Sequence, residues 1–311
     1  MAHYLVTGGG GFIGSNLVQA LIERGQRVRV LDNFATGRRQ NLAGLENQID
    51  LIEGDMRDPA TAERAVAGVD YVLHQAALGS VPRSVQDPLT SNEVNVNGTL
   101  NLLWAAKKSR VKRFVTASSS SIYGNTPQMP KDESMMPNPI SPYAVSKLAA
   151  ERYTLSFNAV YGLPTVALRY FNVFGPKQDP ASQYAAVIPR FITALMKGQA
   201  PVIYGDGEQS RDFTYIDNVV QANLLACSAP EAPGQVMNIA CGDRYSLNTL
   251  LRFLAEIMGK EVRPVYETER PGDVKHSLAS IARAQKNLGF SPAINFRDGL
   301  KRTVAWFLQN S

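Results

Sequence analysis

"HYLVTGGGGFIGSNLVQALIERGQRVRVLD", residues 3–32, decides the fold. His3–Thr7 reads as a short buried strand, a glycine-rich turn follows, and a helix runs from about Phe12 to Arg24 before a second strand, "RVRVL". Gly8, Gly11 and Gly14 are spaced G-x-x-G-x-x-G between strand and helix. That spacing lets backbone approach a pyrophosphate, sets the phosphates at a helix N-terminus, and packs helix on strand. The second strand ends in Asp32, 18 residues past the last glycine, where a carboxylate accepts from the ribose hydroxyls of a dinucleotide. A carboxylate there would repel the 2′-phosphate of NADP, so the expected cofactor is NAD. Arg38 and Arg39, close behind in sequence, leave the phosphorylated dinucleotide as the alternative.

Moving outward, "DLIEG", a short helix, "DYVLH", a long helix and "RFVTA" continue the alternation. Strands separated by helices imply parallel crossovers. The expected fold is α/β: a Rossmann-type doubly wound parallel sheet with a smaller mixed α/β lobe. Residues 1–170 with about 213–242 would form the dinucleotide domain, and about 171–212 with 243–311 the lobe. Asp55 and Met56 after the third strand, and Ala76 and Ala77 after the fourth, fall at strand ends lining the same crevice.

Composition excludes several classes. The 311 residues are 44% hydrophobic and 19% charged, with no apolar stretch long enough to span a bilayer. A net charge of +5 with scattered basic residues suits an anionic small molecule and gives no nucleic-acid footprint. Two cysteines, Cys227 and Cys241, and three dispersed histidines offer neither a disulfide framework nor a metal site. The chain passes from its first methionine straight into a strand, which points to the cytoplasm.

"YAVSK" puts Tyr143 and Lys147 at i and i+4, one turn apart on one helix face. A free phenol titrates near about 10. An adjacent ammonium and an oxidised nicotinamide both favour phenolate and would bring Tyr143 toward the working pH. Ahead of it, "ASSSSIYG" (residues 117–124) follows the "RFVTA" strand. The serines therefore sit at a strand's C-terminal end, where ligands of open α/β sheets bind.

In combination, "TGGGGFIG", "LDNF", "HQAA", "NVNGT", "SSSSIYG", "SPYAVSK", "LRYFNVFGP", "GDGEQSRDFTYIDN" and "ERPGD" resemble the extended short-chain dehydrogenase/reductases that act on nucleotide sugars, across nearly the whole chain. The resemblance implies a catalytic set of Ser119, Tyr143 and Lys147, with Ser120 and Ser121 beside the sugar and Ser118 structural. It implies cofactor contacts from Gly8, Gly11, Phe12, Ile13, Gly14, Asp32, Asn33, Asp55, Met56, Ala76, Ala77, Asn95, Tyr143, Lys147 and Tyr170. On the substrate side it implies Ser80, Arg83, Asn172 and Val187, with Arg211 and Arg270 as diphosphate clamps and Asp273 at the uridine ribose.

Dehydratases of this family carry Asp and Glu at the two positions after the working hydroxyl. Ser120 and Ser121 stand there instead, so a 4-keto sugar has no acid and base for elimination and must take its hydride back. The resemblance thus implies a UDP-hexose 4-epimerase, closest to the subgroup that handles N-acetylated sugars through "GSVPRS" (residues 79–84). Ser277, where galactose-type epimerases carry tyrosine, would leave room for a C2 acetamido group. A UDP-uronate epimerase or decarboxylase and a non-catalytic NAD-binding regulator are the alternatives. A homodimer through helices around residues 90–108 and 143–160 is implied as well.

Overall fold

The computed structural model describes residues 1–179, 186–269 and 275–310. In chain order the first half is β1 (His3–Thr7), α1 (Phe12–Glu23), β2 (Arg27–Asp32), β3 (Ile49–Glu53), α2 (Pro59–Val66), β4 (Tyr71–His74), α3 (Val81–Gln86), α4 (Pro88–Asn92), a π-helical stretch Glu93–Gly98, α5 (Thr99–Lys108) and β5 (Arg113–Ser119). The second half is α6 (Pro142–Tyr161), β6 (Thr165–Tyr170), β7 (Val173–Phe174), α7 (Val187–Met196), β8 (Val202–Tyr204), β9 (Ser210–Arg211), β10 (Thr214–Tyr215), α8 (Ile216–Ser228), β11 (Gln235–Ile239), β12 (Tyr245–Ser246), α9 (Leu247–Met258), β13 (Val265–Glu267), α10 (Ala282–Leu288) and α11 (Phe296–Gln309).

Seven strands form one sheet in the order β11-β6-β5-β4-β1-β2-β3, and every neighbouring pair is parallel. Order reverses between β1 and β4, so the loops leaving their C-terminal ends open the crevice where such sheets bind ligands. Successive strand residues face opposite sides. Leu5, Val72 and Phe114 join one core with α2, α5 and the end of α6. Val6, Leu73 and Val115 join the other with α1 and α8, and that core runs on without a break into α7, α9 and α11.

The single long helix expected after β4 is instead a series. Ser80 and Asp87 each accept a backbone N–H three residues on, and Pro82 and Pro88 occupy the first turns, so two short helices start anew. From Pro88 the chain is helical to Lys108, with the π-helical turn inserted. Strand β11 completes the main sheet beside β6. Among the described residues no helix is long and apolar enough to cross a membrane, and no cluster of His, Cys, Asp and Glu could hold a metal.

Candidate active site

The glycine loop fits a dinucleotide. Gly8 has φ of +68° and lies so close to the β4 loop that a Cβ would stand 2.8 Å from backbone atoms of Ala76. The two loops of the switch point therefore touch. At Gly14 a Cβ would stand 2.1 Å from the Gly8 carbonyl, so only glycine lets α1 start here. Helix α1 begins at Phe12 and Ile13 with no side-chain cap and no acidic residue in its first turn. Its open N–H groups and positive dipole end remain available to an anion.

Asp32 is buried, and each of its oxygens accepts one backbone N–H, from Gly10 at 2.8 Å and Phe34 at 2.8 Å. The carboxylate shapes the loop and keeps further lone pairs for ribose hydroxyls. Arg38 is paired with Asp179 at 2.5 Å and Arg39 with Glu53, which ties up the two cations that left NADP open. Asn33 donates to Asp55 at 2.9 Å, and the Arg57 side-chain bond holds the Asp55 carboxyl down at about 2. Met56 is buried against Gly98 of the π-helical turn.

The loop carrying Ala76 and Ala77 is fastened from both ends. Ala76 donates its N–H to the Thr7 hydroxyl at 3.3 Å, and Thr7 Oγ1 meets Nδ1 of buried His74 at 2.7 Å. His74 Nε2 meets Thr99 Oγ1 at 2.9 Å, and that hydroxyl donates to the Asn95 carbonyl at 2.6 Å. The imidazole therefore carries its proton on Nε2 and is neutral; burial and the Lys147 charge hold it down at about 3. The Asn95 side chain accepts from Leu78 N–H at 2.8 Å and donates to Ser146 at 3.0 Å. It joins the loop to α6.

Ser119 ends β5, and its Oγ accepts from both the N–H (3.2 Å) and the hydroxyl (2.9 Å) of Ser121. Its own proton is left to donate, and its side-chain hydrogen bond to Tyr143 favours the phenolate. Burial is the larger influence and pushes the Tyr143 phenol up. Tyr143 lies in the first turn of the 20-residue helix α6, whose positive end opposes that cost. Its N–H is held by Ser84 Oγ at 3.0 Å and its carbonyl by Ser146 at 2.8 Å. Burial lowers Lys147 to about 8, against the opposing pull of Glu151. Ser118 points the other way, into the core, donating to Glu151 at 2.7 Å.

Tyr170 is buried at the end of β6, its hydroxyl held by Gln75 at 3.2 Å and Asn223 at 2.8 Å; burial pushes it up to about 12. Asn172 adopts φ of +34° and donates to the Asp212 carbonyl at 3.1 Å. With Val187, Arg190, Tyr204, Arg211 and Phe213 it lines a cavity of about 260 Å³. Ser277 is half-buried, its N–H bound to the Ser210 carbonyl at 3.0 Å. Ser80 is nearly buried and spends its hydroxyl on the N–H of Arg83 at 3.2 Å. Arg270 and Asp273 lie outside the described residues.

Sequence reasoning passed over Ser84, Ser146, His74, Gln75 and Asn223, whose partners are 59, 3, 67, 95 and 53 residues away. Ser146 alone had a local partner, as the residue directly before the lysine in the Tyr143–Lys147 turn.

Residues 4–240 match the NAD dependent epimerase/dehydratase family. A UDP-N-acetylglucosamine 4-epimerase from Methanobrevibacter ruminantium M1, solved with UDP-N-acetylmuramic acid, is 43% identical with a TM-score of 0.95, covering 100% of this chain and 99% of that one. A UDP-glucose 4-epimerase from Thermotoga maritima, solved with UDP-glucose, is 39% identical with a TM-score of 0.94 over 99% of each chain. The UDP-glucose 4-epimerase of Mycolicibacterium smegmatis is 37% identical over 99% of both chains. With a glycine loop built for a dinucleotide and a Ser-Tyr-Lys set at the same C-terminal edge of the sheet, the chain belongs to the NAD dependent epimerase/dehydratase family.

Proposed function

We propose that this enzyme inverts C4 of UDP-hexoses, interconverting UDP-N-acetylglucosamine with UDP-N-acetylgalactosamine and UDP-glucose with UDP-galactose, on NAD that stays bound. The observation that carries this is the hydroxyl relay from Ser121 through Ser119 to Tyr143, with serines, not carboxylates, at positions 120 and 121. The nearby carboxylate Glu151 is committed to Ser118 and Arg169, so elimination has no acid and base.

Tyr143 takes the O4 proton, and Ser119 bridges O4 and the phenol. Lys147 and the N-terminus of α6 stabilise the phenolate that accepts the O4 proton and that re-forms when the proton is returned to O4. NAD held by the glycine loop and Asp32 would supply a reversible hydride acceptor for C4. Arg211 and Arg270 would clamp the diphosphate with Asn172 near it, Asp273 would meet the uridine ribose, and the cavity at Val187 would take the base. Ser80, Arg83 and Ser277 would border the sugar, with Ser277 leaving space at C2. Residues 1–170 with about 213–242 would hold the dinucleotide and the remainder the nucleotide sugar. Leu89, Trp104, Val145 and Val160 are exposed on α4, α5 and α6, which supports pairing of two copies along the helices around residues 90–108 and 143–160. The two free cysteines suit the reducing cytoplasm.

The test is incubation with UDP-glucose, UDP-N-acetylglucosamine and UDP-glucuronate separately, with products resolved by chromatography and mass. Each hexose should give its 4-epimer at unchanged mass. Turnover of the uronate alone, or loss of water or carbon dioxide, would overturn the proposal.

A further inference from the structure

Beneath the acid/base set lies a pair of charges for which the reaction has given no use. Glu151 and Arg169 are 0% and 1% exposed. Arg169 forks onto the carboxylate, Nε to Oε2 at 2.9 Å and Nη2 to Oε1 at 2.8 Å. Its remaining nitrogen donates to the Tyr123 hydroxyl at 2.7 Å, which donates to Asn238 Oδ1 at 2.8 Å. Asn238 in turn donates its amide to the carbonyls of Lys131 (3.0 Å) and Ser280 (3.2 Å) and its N–H to Glu133 at 2.7 Å. The chain of bonds thus joins α6, β5, β6 and β11 and ends three residues from Ser277.

A buried ion pair seldom adds stability over well-packed apolar side chains, because desolvation offsets the attraction. Its placement suggests another use. Glu151 is one turn beyond Lys147 on the same face of α6, Ser118 directly precedes Ser119, and Arg169 directly precedes Tyr170. Each member adjoins a different residue of the candidate site. Around Lys147, β4 contributes His74, which is neutral, and α6 contributes Tyr143 and Glu151; Arg169 of β6 is bound to Glu151.

We propose that Glu151 and Arg169 are positioning residues of the epimerisation, fixing Ser119 and Tyr170 in register and setting an anion one turn from Lys147 that keeps its ammonium charged. This rests on Tyr143 and Lys147 acting as the acid/base couple. Lys147 works through its charge, and each unit by which its titration falls below the working pH removes about tenfold of the protonated form. Loss of the anion therefore raises the pH at which Tyr143 forms phenolate and lowers kcat, while KM changes little because neither residue reaches the sugar.

Two variants separate this from a merely structural role. Glu151→Leu/Arg169→Met with Ser118→Ala replaces the pair by apolar groups, and Glu151→Gln/Arg169→Gln keeps polar side chains but not the charges. Both remove the two charges together, so neither strands one. In the NAD-loaded protein the phenolate titration of Tyr143 is read as the ultraviolet difference from the same protein carrying Tyr143→Phe. Both variants should melt as cooperatively as the wild type, with the Tyr143 midpoint raised by about one unit and kcat at neutral pH lowered about tenfold. A folded variant with the wild-type midpoint and kcat would overturn the proposal, and if the apolar variant fails to fold, the glutamine variant decides. Should the wild type leave every UDP-hexose unchanged, only the functional proposal fails, because the phenolate midpoint needs no sugar.

Discussion

Replacing Lys147 by methionine should make the protein more stable at neutral pH while disabling it. Lys147 is 6% exposed, and burial brings its titration from 10.5 to about 8. The sign follows from proton binding: between these values the unfolded chain holds a proton that the folded one does not, so stability rises with pH across the window. At about 1.4 kcal/mol per unit, charging the buried amine at pH 7 costs about 3 kcal/mol relative to its neutral form. Methionine of similar length carries no such cost, and Glu151 keeps its partner in Arg169. The assay is urea unfolding of both proteins, freed of dinucleotide, at pH 7 and near pH 10.5. The variant should be the more stable at pH 7, and the gap should shrink by about 3 kcal/mol as the pH rises from about 8 to about 10.5. Tyr143, coupled to Lys147, is replaced by phenylalanine in both proteins, and the other tyrosines and cysteines act on both alike and drop out of the difference. A gap that does not change with pH, or the protein with Lys147 being the more stable at pH 7, would refute the reasoning.

Tyr143→Phe should keep NAD bound yet lose epimerisation by about a hundredfold or more, measured as kcat on UDP-glucose; normal turnover would remove the phenol from the mechanism. Gly14→Ala drives a methyl to within 2.1 Å of the Gly8 carbonyl, so the start of α1 must move. The purified protein should then lack bound dinucleotide, and stoichiometric NAD would contradict the loop's assignment. Ser277→Tyr should lower kcat/KM on UDP-N-acetylglucosamine by roughly ten- to a hundredfold, the effect of overpacking a close-fitting site, and spare UDP-glucose. Equal losses on both sugars would show that residue 277 does not read the C2 substituent.

What the sequence disclosed was whatever neighbouring residues do together. The G-x-x-G-x-x-G turn, Asp32 at a strand end, and Tyr143 with Lys147 are local patterns, and strand and helix periodicity places them. Residues that act through distant partners left no such trace. Ser84 holds the Tyr143 backbone from 59 positions away, and Tyr123 is tied to Asn238 across 115. Other signals were present and passed over: Ser80-Val-Pro and Asp87-Pro are helix starts that divide the segment after β4, and Glu151 continues the Tyr143 and Lys147 spacing by one more turn. The influence of burial on Tyr143, upward where the lysine was expected to bring it down, depends on how deeply the fold encloses the ring, which no short pattern states.

The two backbone bonds accepted by Asp32 tie cofactor choice to the folding of the loop. Gly10 and Gly37 crowd the carboxylate closely enough that a Cβ on either would stand 3.2 Å and 2.9 Å from it. A smaller neutral residue at position 32 would open space and remove a negative charge, the usual route to a phosphorylated dinucleotide. Here it would also strand the buried amide of Gly10, at a cost of about 1–3 kcal/mol, and take the acceptor from the part-buried amide of Phe34. A lineage drifting toward NADP would therefore have to rebuild the 33–38 turn before it could give up the acid, and the preference for NAD is conserved by the loop's own need for an acceptor.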